Sequence, residues 1–180
     1  MQKILGYMKN PSENTAETSF YRAFNALLVD CTSLIVQSEP YNFHGRMNEV
    51  LEKIGKFSGV DRSYYFKIDL ENQTLSNVNE WCKEGVSPQI EYLQEIPYAV
   101  VPNWMENMLE GKEIYIEELQ QLDEKWVPEK EILEPQGIQS LLSIPIRESN
   151  LLYGFLGFDA VETKVQWTED SRHHIAHPGK

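Results

Sequence analysis

Few residues of this chain combine the type and the spacing that catalysis or metal binding requires. Cys31 and Cys82 are the only cysteines, and they lie far apart without the spacing of metal ligands. His173, His174 and His177 cluster in the stretch SRHHIAHPGK. A metal-binding tract is one interpretation of that cluster, and a solvated tail is the interpretation that we favour. We therefore expect no metal site, no cofactor and no catalytic residue.

The stretch IQSLLSIPIRESNLLYGFLGFDAVE, residues 138–162, is the part of the chain most suggestive of a binding site. Two apolar runs flank a short polar break, and the second run contains Gly154 and Gly157 and ends at Asp159. Glycine inside a strand costs entropy and packing, so it often marks a bulge or a group that approaches the backbone closely. The stretch predicts a hairpin with such a group beside it.

Two amphipathic helices are predicted ahead of this hairpin. Asn14 and Glu17 resemble a capping box that opens the first helix, and apolar residues then recur at helical spacing to about Gln37. The second helix presents an apolar face from Phe43 to Phe57, with Gly59 at its C-terminal cap position.

The spacing changes to that of strands at RSYYFKID, residues 62–69, and again at TLSNVNEWC, residues 74–82. From residue 83 to residue 137 the pattern is irregular and predicts two short helices and a brief strand at EIYI. A crossover of this length with only short elements is unusual in a compact domain and tends to be functional. The order predicts an α+β fold, an antiparallel sheet with the helix pair on one face and the crossover on the other.

Composition limits the classes of partner. A formal net charge of −12 over 180 residues argues against nucleic acid or an anionic membrane surface as the main partner. The N-terminus lacks the features of a signal peptide, and no apolar run approaches the length that spans a membrane. These features predict one cytoplasmic domain.

Six segments follow one another in the order FSGVDRSYYFKID, NEWCKEGVSPQI, WMENMLEGKEIYI, EILEPQGIQSLLSIPI, LLYGFLGFDAVE and WTED. Taken together, they resemble a GAF domain, the small-molecule-binding input module of many signalling proteins. The resemblance covers about residues 20–170, and in particular it is to bacterial GAF domains joined to PAS, histidine-kinase or diguanylate-cyclase modules. It implies a sheet of order 2-1-5-4-3 with a ligand cavity between the sheet and the crossover.

Strand alternation divides the hairpin into two faces. One face, with Leu142, Leu152 and Phe158, is uniformly apolar and suits the helix pair. The other mixes aromatic, small and polar groups, as a ligand pocket requires; on it we expect Gly157 to leave room for a ligand and Asp159 to accept hydrogen bonds at the rim. The alternatives are that the glycines relieve strand twist, that Asp159 caps a turn, and that Tyr65, Trp81 and Trp104 are ordinary core residues. The predicted ligand-binding set is Tyr65, Trp81, Trp104, Leu141, Ser143, Phe155, Gly157 and Asp159.

Other activities found in GAF-like proteins find little support in these residues. Free methionine sulfoxide reductases use cysteines around the pocket, and here the crossover has none; of the acids found in those enzymes, only Asp159 has a counterpart. The residue set of cyclic-nucleotide-binding members is absent. Cys82 lacks the Asp or His neighbours that bilin-binding members carry, and His44, the one histidine inside the domain, lies near the start of the second helix. We expect a non-enzymatic sensory or regulatory domain that binds a small organic ligand. The alternatives are a ligand-free dimerisation or protein-interaction module and, with less support, an enzyme like the free methionine sulfoxide reductases.

The predicted organisation is a leader at residues 1–13, a GAF domain at residues 14–170 and a tail at residues 171–180. The family normally continues into a long amphipathic helix, whereas SRHHIAHPGK has no apolar periodicity. Because an apolar surface on the first helix would then stay open, we expect a homodimer through that helix.

Overall fold

The computed structural model describes the backbone of residues 11–167 and the side chains of residues 18–167. The predicted capping box, the terminal histidines and the tail lie outside these described side chains. The first helix begins at Pro11, inside the predicted leader. In the described chain the helices are α1 (Pro11–Val36), α2 (Phe43–Ser58), α3 (Pro102–Glu110) and α4 (Val127–Leu133), and the strands are β1 (Arg62–Asp69), β2 (Thr74–Cys82), β3 (Ile96–Pro97), β4 (Ile114–Ile116), β5 (Ser140–Glu148) and β6 (Leu151–Ala160).

The chain divides into two compact units, residues 1–50 and residues 51–180. The first unit contains α1 and the first half of α2. The second contains the rest of α2, the whole sheet and the crossover. Both helices were predicted, and α2 ends at Ser58 with Gly59 at the expected cap position, where its φ of 69° is the left-handed conformation that favours glycine. No helix in residues 11–167 is long and apolar enough to span a membrane.

The six strands form one antiparallel sheet of order β3-β2-β1-β6-β5-β4. The resemblance implies the order 2-1-5-4-3. When the edge strand β3 is left out and the remaining strands are numbered one to five along the chain, the observed order is the same. The strands β1 and β2 coincide with the predicted residues 62–69 and 74–82, because both carry period-2 alternation beside a clear turn. Strand β3 was not predicted, since two residues offer no alternation to read.

Two apolar cores lie on opposite faces of the sheet. We call the face that bears Tyr64, Phe66 and Phe155 the crossover face, because its core continues into the crossover through Trp104 and Leu133. We call the face that bears Leu142 and Phe158 the helix face. Its core includes Ile54 of α2.

The second half of α2 packs closely on the helix face. The Ser63 hydroxyl donates to the backbone oxygen of Leu51 at 2.7 Å. Gly55 lies against the Trp81 ring, where an added Cβ would stand 2.5 Å from a ring carbon. Residues 51–58 therefore cover this face, as predicted for α2, while the position of α1 beside them stays a prediction.

A β-bulge in the final hairpin changes the predicted faces at one end. Ile146 pairs with Gly154, but Arg147 pairs with Leu152, so Tyr153 is the extra residue on β6. Leu152 consequently joins the crossover-face core, whereas Tyr153 is 43% exposed. Alternation alone predicts Leu152 on the helix face and Tyr153 on the crossover face, and this prediction is wrong because simple alternation fails beyond a bulge.

Candidate functional site

A small cavity lies between the crossover face of the sheet and the crossover. Its volume is about 40 Å³, and because one water molecule needs about 10–15 Å³ on this scale, it has room for about three water-sized groups. The lining is apolar or aromatic except for a carboxylate and an amide. From the sheet come Tyr64, Phe66, Leu75 and Phe155, and from the crossover Leu93, Ile96, Val101, Trp104, Glu129, Ile132, Leu133 and Gln136.

Aromatic rings in mutual contact occupy much of the space above the sheet. Phe66 and Phe155 stack with their ring centres 4.8 Å apart. Trp104 of α3 meets Phe155 at 5.7 Å, and Tyr64 meets Phe66 edge to face at 5.5 Å. Such pairs are stabilising beyond their buried area, so the aromatic contacts hold the sheet side of the cavity together and join it to α3.

A buried ion pair stands beside the cavity at the end of β6. The Arg62 Nη2 lies 2.8 Å from Asp159 Oδ2, and its Nε donates to the same oxygen at 2.9 Å. The Tyr64 hydroxyl donates to Asp159 Oδ1 at 2.9 Å. Arg62 and Asp159 are 1% and 0% exposed. Because buried charges persist only when paired and hydrogen-bonded, this triad of β1 and β6 functions as one unit.

The same guanidinium reaches both ends of the crossover. Its Nη1 donates to the backbone oxygen of Ser87 at 3.2 Å, and its Nη2 donates to Gln136 Oε1 at 3.2 Å. Gln136 in turn donates to the backbone oxygen of Ile132 at 2.9 Å. Arg62 thus connects the central strand to the segments by which the chain enters and leaves the crossover.

Burial and ion pairing have opposite effects on the pKa values of Arg62 and Asp159. Burial disfavours the charge of Arg62, but Asp159 outweighs it and raises the pKa of Arg62 above its ordinary value. Burial also raises the pKa of the Asp159 carboxyl, against the lowering effect of Arg62 and Tyr64. Burial, with the adjacent Asp159, holds the pKa of Tyr64 well above its ordinary value. Since the guanidinium keeps its proton, the ion pair is lost when the Asp159 carboxylate is protonated.

A second buried carboxylate joins the two helices above the cavity. Glu129 of α4 is 1% exposed, and its Oε1 accepts from the backbone N–H groups of Asn103 at 2.7 Å and Trp104 at 3.0 Å. Its Oε2 accepts from Asn103 Nδ2 at 3.2 Å. Glu129 therefore caps the N-terminus of α3 from a neighbouring helix, in the role that a side chain at the N-cap usually has.

One polar group of the lining lacks a partner. Trp104 is 5% exposed, and its indole Nε1 is buried without a hydrogen-bond acceptor among the residues that the structure describes. Buried donors are nearly always paired, so an orphan of this kind requires an explanation.

Four members of the predicted ligand-binding set lie on the crossover face. Trp104 and Phe155 line the cavity, and Leu141 belongs to the same core. Ser143 is opposite Gly157 on the neighbouring strand, and its hydroxyl donates to the backbone oxygen of Leu156 at 3.3 Å. Only the first two of these line the cavity itself.

Two other members lie on the wrong face. Tyr65 alternates with Tyr64 and Phe66 and meets Gly154, where an added Cβ would overlap its ring and the Phe66 carbonyl. Trp81 packs on Gly55 of α2 and borders an open, charged cleft of about 690 Å³ on the helix face. Their expected place in the cavity is wrong because in β1 the residues that face the crossover are Tyr64 and Phe66, and Trp81 pairs with Ser63.

The expected roles of Gly157 and Asp159 also need correction. A Cβ at Gly157 would overlap the Tyr64 ring, so this glycine makes room for a side chain of the protein. Asp159 was expected at the rim of the pocket, where it would accept hydrogen bonds from a ligand. It is instead fully buried and paired with Arg62. Neither residue lines the cavity, and Asp159 caps no turn.

Sequence reasoning missed Arg62, Glu129 and Gln136. A signal existed for Arg62, because it alternates with Tyr64, Phe66 and Ile68, the apolar positions of β1 that are buried. No local pattern marks Glu129, since its role depends on the packing of α4 beside the start of α3.

The described cysteine of the sheet is poorly suited to covalent chemistry. Burial, with the carboxylate of Glu80, raises the pKa of the Cys82 thiol to about 12, so the nucleophilic thiolate is scarce at neutral pH. Among residues 18–167 no group of three or more histidine, cysteine or acidic side chains could hold a metal ion.

Comparison with known proteins agrees with this architecture. The GAF domain family matches residues 42–176, and the chain therefore belongs to the GAF domain family, whose members are sensory modules of signalling proteins. A curated relative, the methanogenesis regulatory histidine kinase FilI of Methanothrix harundinacea (strain 6Ac), is 32% identical over 155 residues. The match covers 82% of this chain but only 16% of that kinase.

Solved structures share the fold at low identity. The phycocyanobilin-bound GAF domain from a cyanobacterial phytochrome has a TM-score of 0.68 at 18% identity, covering 84% of this chain and 86% of that one. The blue-light absorbing form of the Thermosynechococcus elongatus PixJ GAF domain has a TM-score of 0.60 at 18% identity, covering 84% and 81%. These likenesses concern the fold alone.

Proposed function

We propose that this chain is the non-enzymatic sensory domain of a larger signalling protein and binds a small organic ligand between the sheet and the crossover. The observation that carries the proposal is the apolar cavity between the sheet and the crossover, with few polar groups among its lining residues. Both ends of the crossover are tied to the sheet through Arg62. We call the part of the crossover that covers the cavity, with α3 and α4, the roof. A ligand that displaces the roof would therefore shift the conformational equilibrium of the domain, provided that it binds the displaced and undisplaced states with different affinity.

A bilin is a poor candidate for this ligand, although related structures hold one. Sites for drug-sized ligands measure about 300–1,000 Å³, whereas this cavity measures about 40 Å³. The Cys82 thiol, with its pKa of about 12, also offers little thiolate for attachment. A compact molecule fits the present cavity, and a larger one requires movement of α3 or α4.

One observation favours the second candidate, a dimerisation module without a ligand. Tyr64, Phe66, Trp104 and Phe155 pack against one another above the sheet and leave a cavity of only about 40 Å³. In that case the cavity is a packing defect and the signal passes between subunits alone.

Mass spectrometry of small molecules released from natively purified protein distinguishes the two candidates. Under the proposal, a molecule is released, and adding it back raises the midpoint of thermal unfolding. Protein that releases nothing and is stabilised by no fraction of a cell extract would favour the dimerisation module.

A matched pair of variants locates the site. Leu75 lines the cavity and Leu142 lies in the packed core of the helix face. We expect Leu75→Phe to fill the cavity and abolish stabilisation by the ligand with little loss of stability. We expect Leu142→Phe to overpack its core, at a cost of about 1–3 kcal/mol, and to retain ligand binding in the folded fraction. Normal binding by Leu75→Phe would place the ligand elsewhere.

A further inference from the structure

The unpaired indole of Trp104 bears on the class of molecule that the cavity accepts. Every other polar group among the lining residues has a protein partner: Tyr64 donates to Asp159, Gln136 bonds Arg62 and Ile132, and Glu129 accepts three N–H groups. The Trp104 Nε1–H alone has none among the described residues. A buried donor without a hydrogen bond costs free energy. A ligand that supplies an acceptor makes this missing hydrogen bond, and the recovered free energy adds to its affinity.

The charged residues around the cavity limit the net charge that the ligand can carry. Glu129 is a buried carboxylate of the lining, and Asp159 stands behind Tyr64. The positive charge of Arg62 is already matched by Asp159. An anion would enter an apolar space beside one carboxylate without a free cation to receive it. A cation would leave the Trp104 donor unpaired, because it offers no lone pair.

We infer that the cavity selects small uncharged molecules, mostly apolar, that carry one hydrogen-bond acceptor for the Trp104 Nε1–H. A carbonyl oxygen with one or two short alkyl groups is the simplest such molecule. The size agrees, since the cavity has room for about three water-sized groups. This inference rests on the proposed function and names the ligand class for the same site.

Three molecules of nearly equal shape test the acceptor and the charge separately. Acetone carries a neutral acceptor, 2-methylpropene replaces the oxygen with a methylene group, and acetate adds a negative charge. The full chain labelled with ¹⁵N-tryptophan is titrated up to about 100 mM of acetone or acetate, because molecules of four non-hydrogen atoms bind weakly. The titration with 2-methylpropene runs to its lower limit of solubility in water, and the three are compared by the slope of the shift against concentration over that shared range. The Trp104 indole signal is assigned from its loss in Trp104→Phe.

We expect acetone to move the Trp104 indole proton downfield in a saturable manner, and to bind at least 5-fold more tightly than 2-methylpropene or acetate. In Trp104→Phe, ligand-observed saturation transfer should show that acetone loses this advantage over 2-methylpropene. The unfolding midpoint of Trp104→Phe without ligand serves as a check on folding, and the volume-matched Trp126→Phe, outside the cavity lining, should leave the preference for acetone intact.

The possible outcomes separate this inference from the proposed function. Equal binding of acetone and 2-methylpropene would overturn the role of the Trp104 donor while leaving a ligand cavity in place. Tighter binding of acetate would overturn the requirement for a neutral molecule. If none of the three perturbs the indole, water alone serves that donor and the inference is wrong, whereas the proposed function is judged by the molecule that natively purified protein releases.

Discussion

The Tyr64 ring lies over Gly157, and this contact determines how much of the cavity is left open. Tyr64 could not lie there if residue 157 carried a side chain. From this position its hydroxyl reaches Asp159 at 2.9 Å and its ring meets Phe66. A glycine thus enables an aromatic residue to connect the ion pair with the aromatic residues on the sheet side of the cavity.

Gly157→Ala should destabilise the protein by about 1–3 kcal/mol, because the new methyl group forces the Tyr64 ring out of its place. Urea unfolding measures the change. Gly45→Ala is the matched control: Gly45 lies in α2 with nothing near its Cβ position, and alanine there should raise stability by about 0.5–1 kcal/mol. Gly157→Ala with unchanged stability would mean that Tyr64 does not occupy this space.

The Arg62–Asp159 pair should behave as one unit in a double-mutant cycle. Arg62→Met removes a fully buried counter-ion and the ties to Ser87 and Gln136, and breaking such a pair costs about 3–5 kcal/mol. Asp159→Leu alone should also be costly, because it leaves the guanidinium buried without its partner.

The double variant Arg62→Met/Asp159→Leu should be more stable than the sum of the single effects predicts, by about 0.5–3 kcal/mol. Arg62→Lys serves as the conservative control and should fail to restore wild-type stability, because an ammonium lacks the planar fork. Additive effects of the two single variants in urea unfolding would refute the pairing.

At the scale of elements, the crossover depends on contacts that few residues provide. Glu129 joins α4 to the first turn of α3. Arg62 joins the beginning and the end of the crossover to β1. The roof of the cavity is therefore held by two buried charged side chains rather than by a long helix or strand.

Glu129→Ala should expose the start of α3 and cost about 1–3 kcal/mol, because two backbone N–H groups lose their acceptor. Glu129→Gln keeps one oxygen and should cost less. Hydrogen exchange at the Asn103 and Trp104 amides is the most specific readout, and it should accelerate in the alanine variant while the β1 amides stay protected. Unchanged exchange at those two amides would contradict the cap.

The sequence was sufficient to predict most elements and their order. Strands β1 and β2 and the final hairpin have strong alternation, and α2 has a clear apolar face and a C-terminal glycine. What could not be predicted depends on geometry between elements. The bulge at Tyr153 moves Leu152 into the crossover-face core, and the close approach of Trp81 to Gly55 depends on how α2 crosses the sheet.

The candidate site was harder to predict than the fold for the same reason. Alternation correctly places Phe155, Leu141 and Ser143 on the crossover face, but it does not say which protein side chain fills the space above Gly157. Arg62 and Asp159 are 97 positions apart in the sequence, and no pattern within either strand indicates that these two residues pair.

At the scale of the whole molecule, the chain is similar in extent to one part of a much longer relative. The match covers only 16% of the histidine kinase that it resembles. A sensory domain in such a setting has to pass a change in its cavity to other domains. We propose that it does so through a homodimer formed by α1.

Val29→Lys/Val36→Lys tests that dimer. These residues of α1 are 69% and 76% exposed, so charges there should leave folding unchanged but separate two copies that meet through this surface. Sedimentation at high micromolar concentration should show a dimer for the parent chain and a monomer for the variant. Val127→Lys, 49% exposed and in α4, is the control and should stay dimeric; a parent chain that sediments as a monomer would refute the proposal.

The central claim is that a small molecule binds between the sheet and the crossover, and hydrogen exchange with and without the molecule released from the native protein tests it most directly. We predict slower exchange in the elements that line the cavity, residues 93–104 and 127–136 of the crossover and the facing residues of β1 and β6. Leu75→Phe should remove this protection, and Leu142→Phe should retain it in the folded fraction. Protection confined to α1, or to the charged cleft beside Trp81, would contradict the claim.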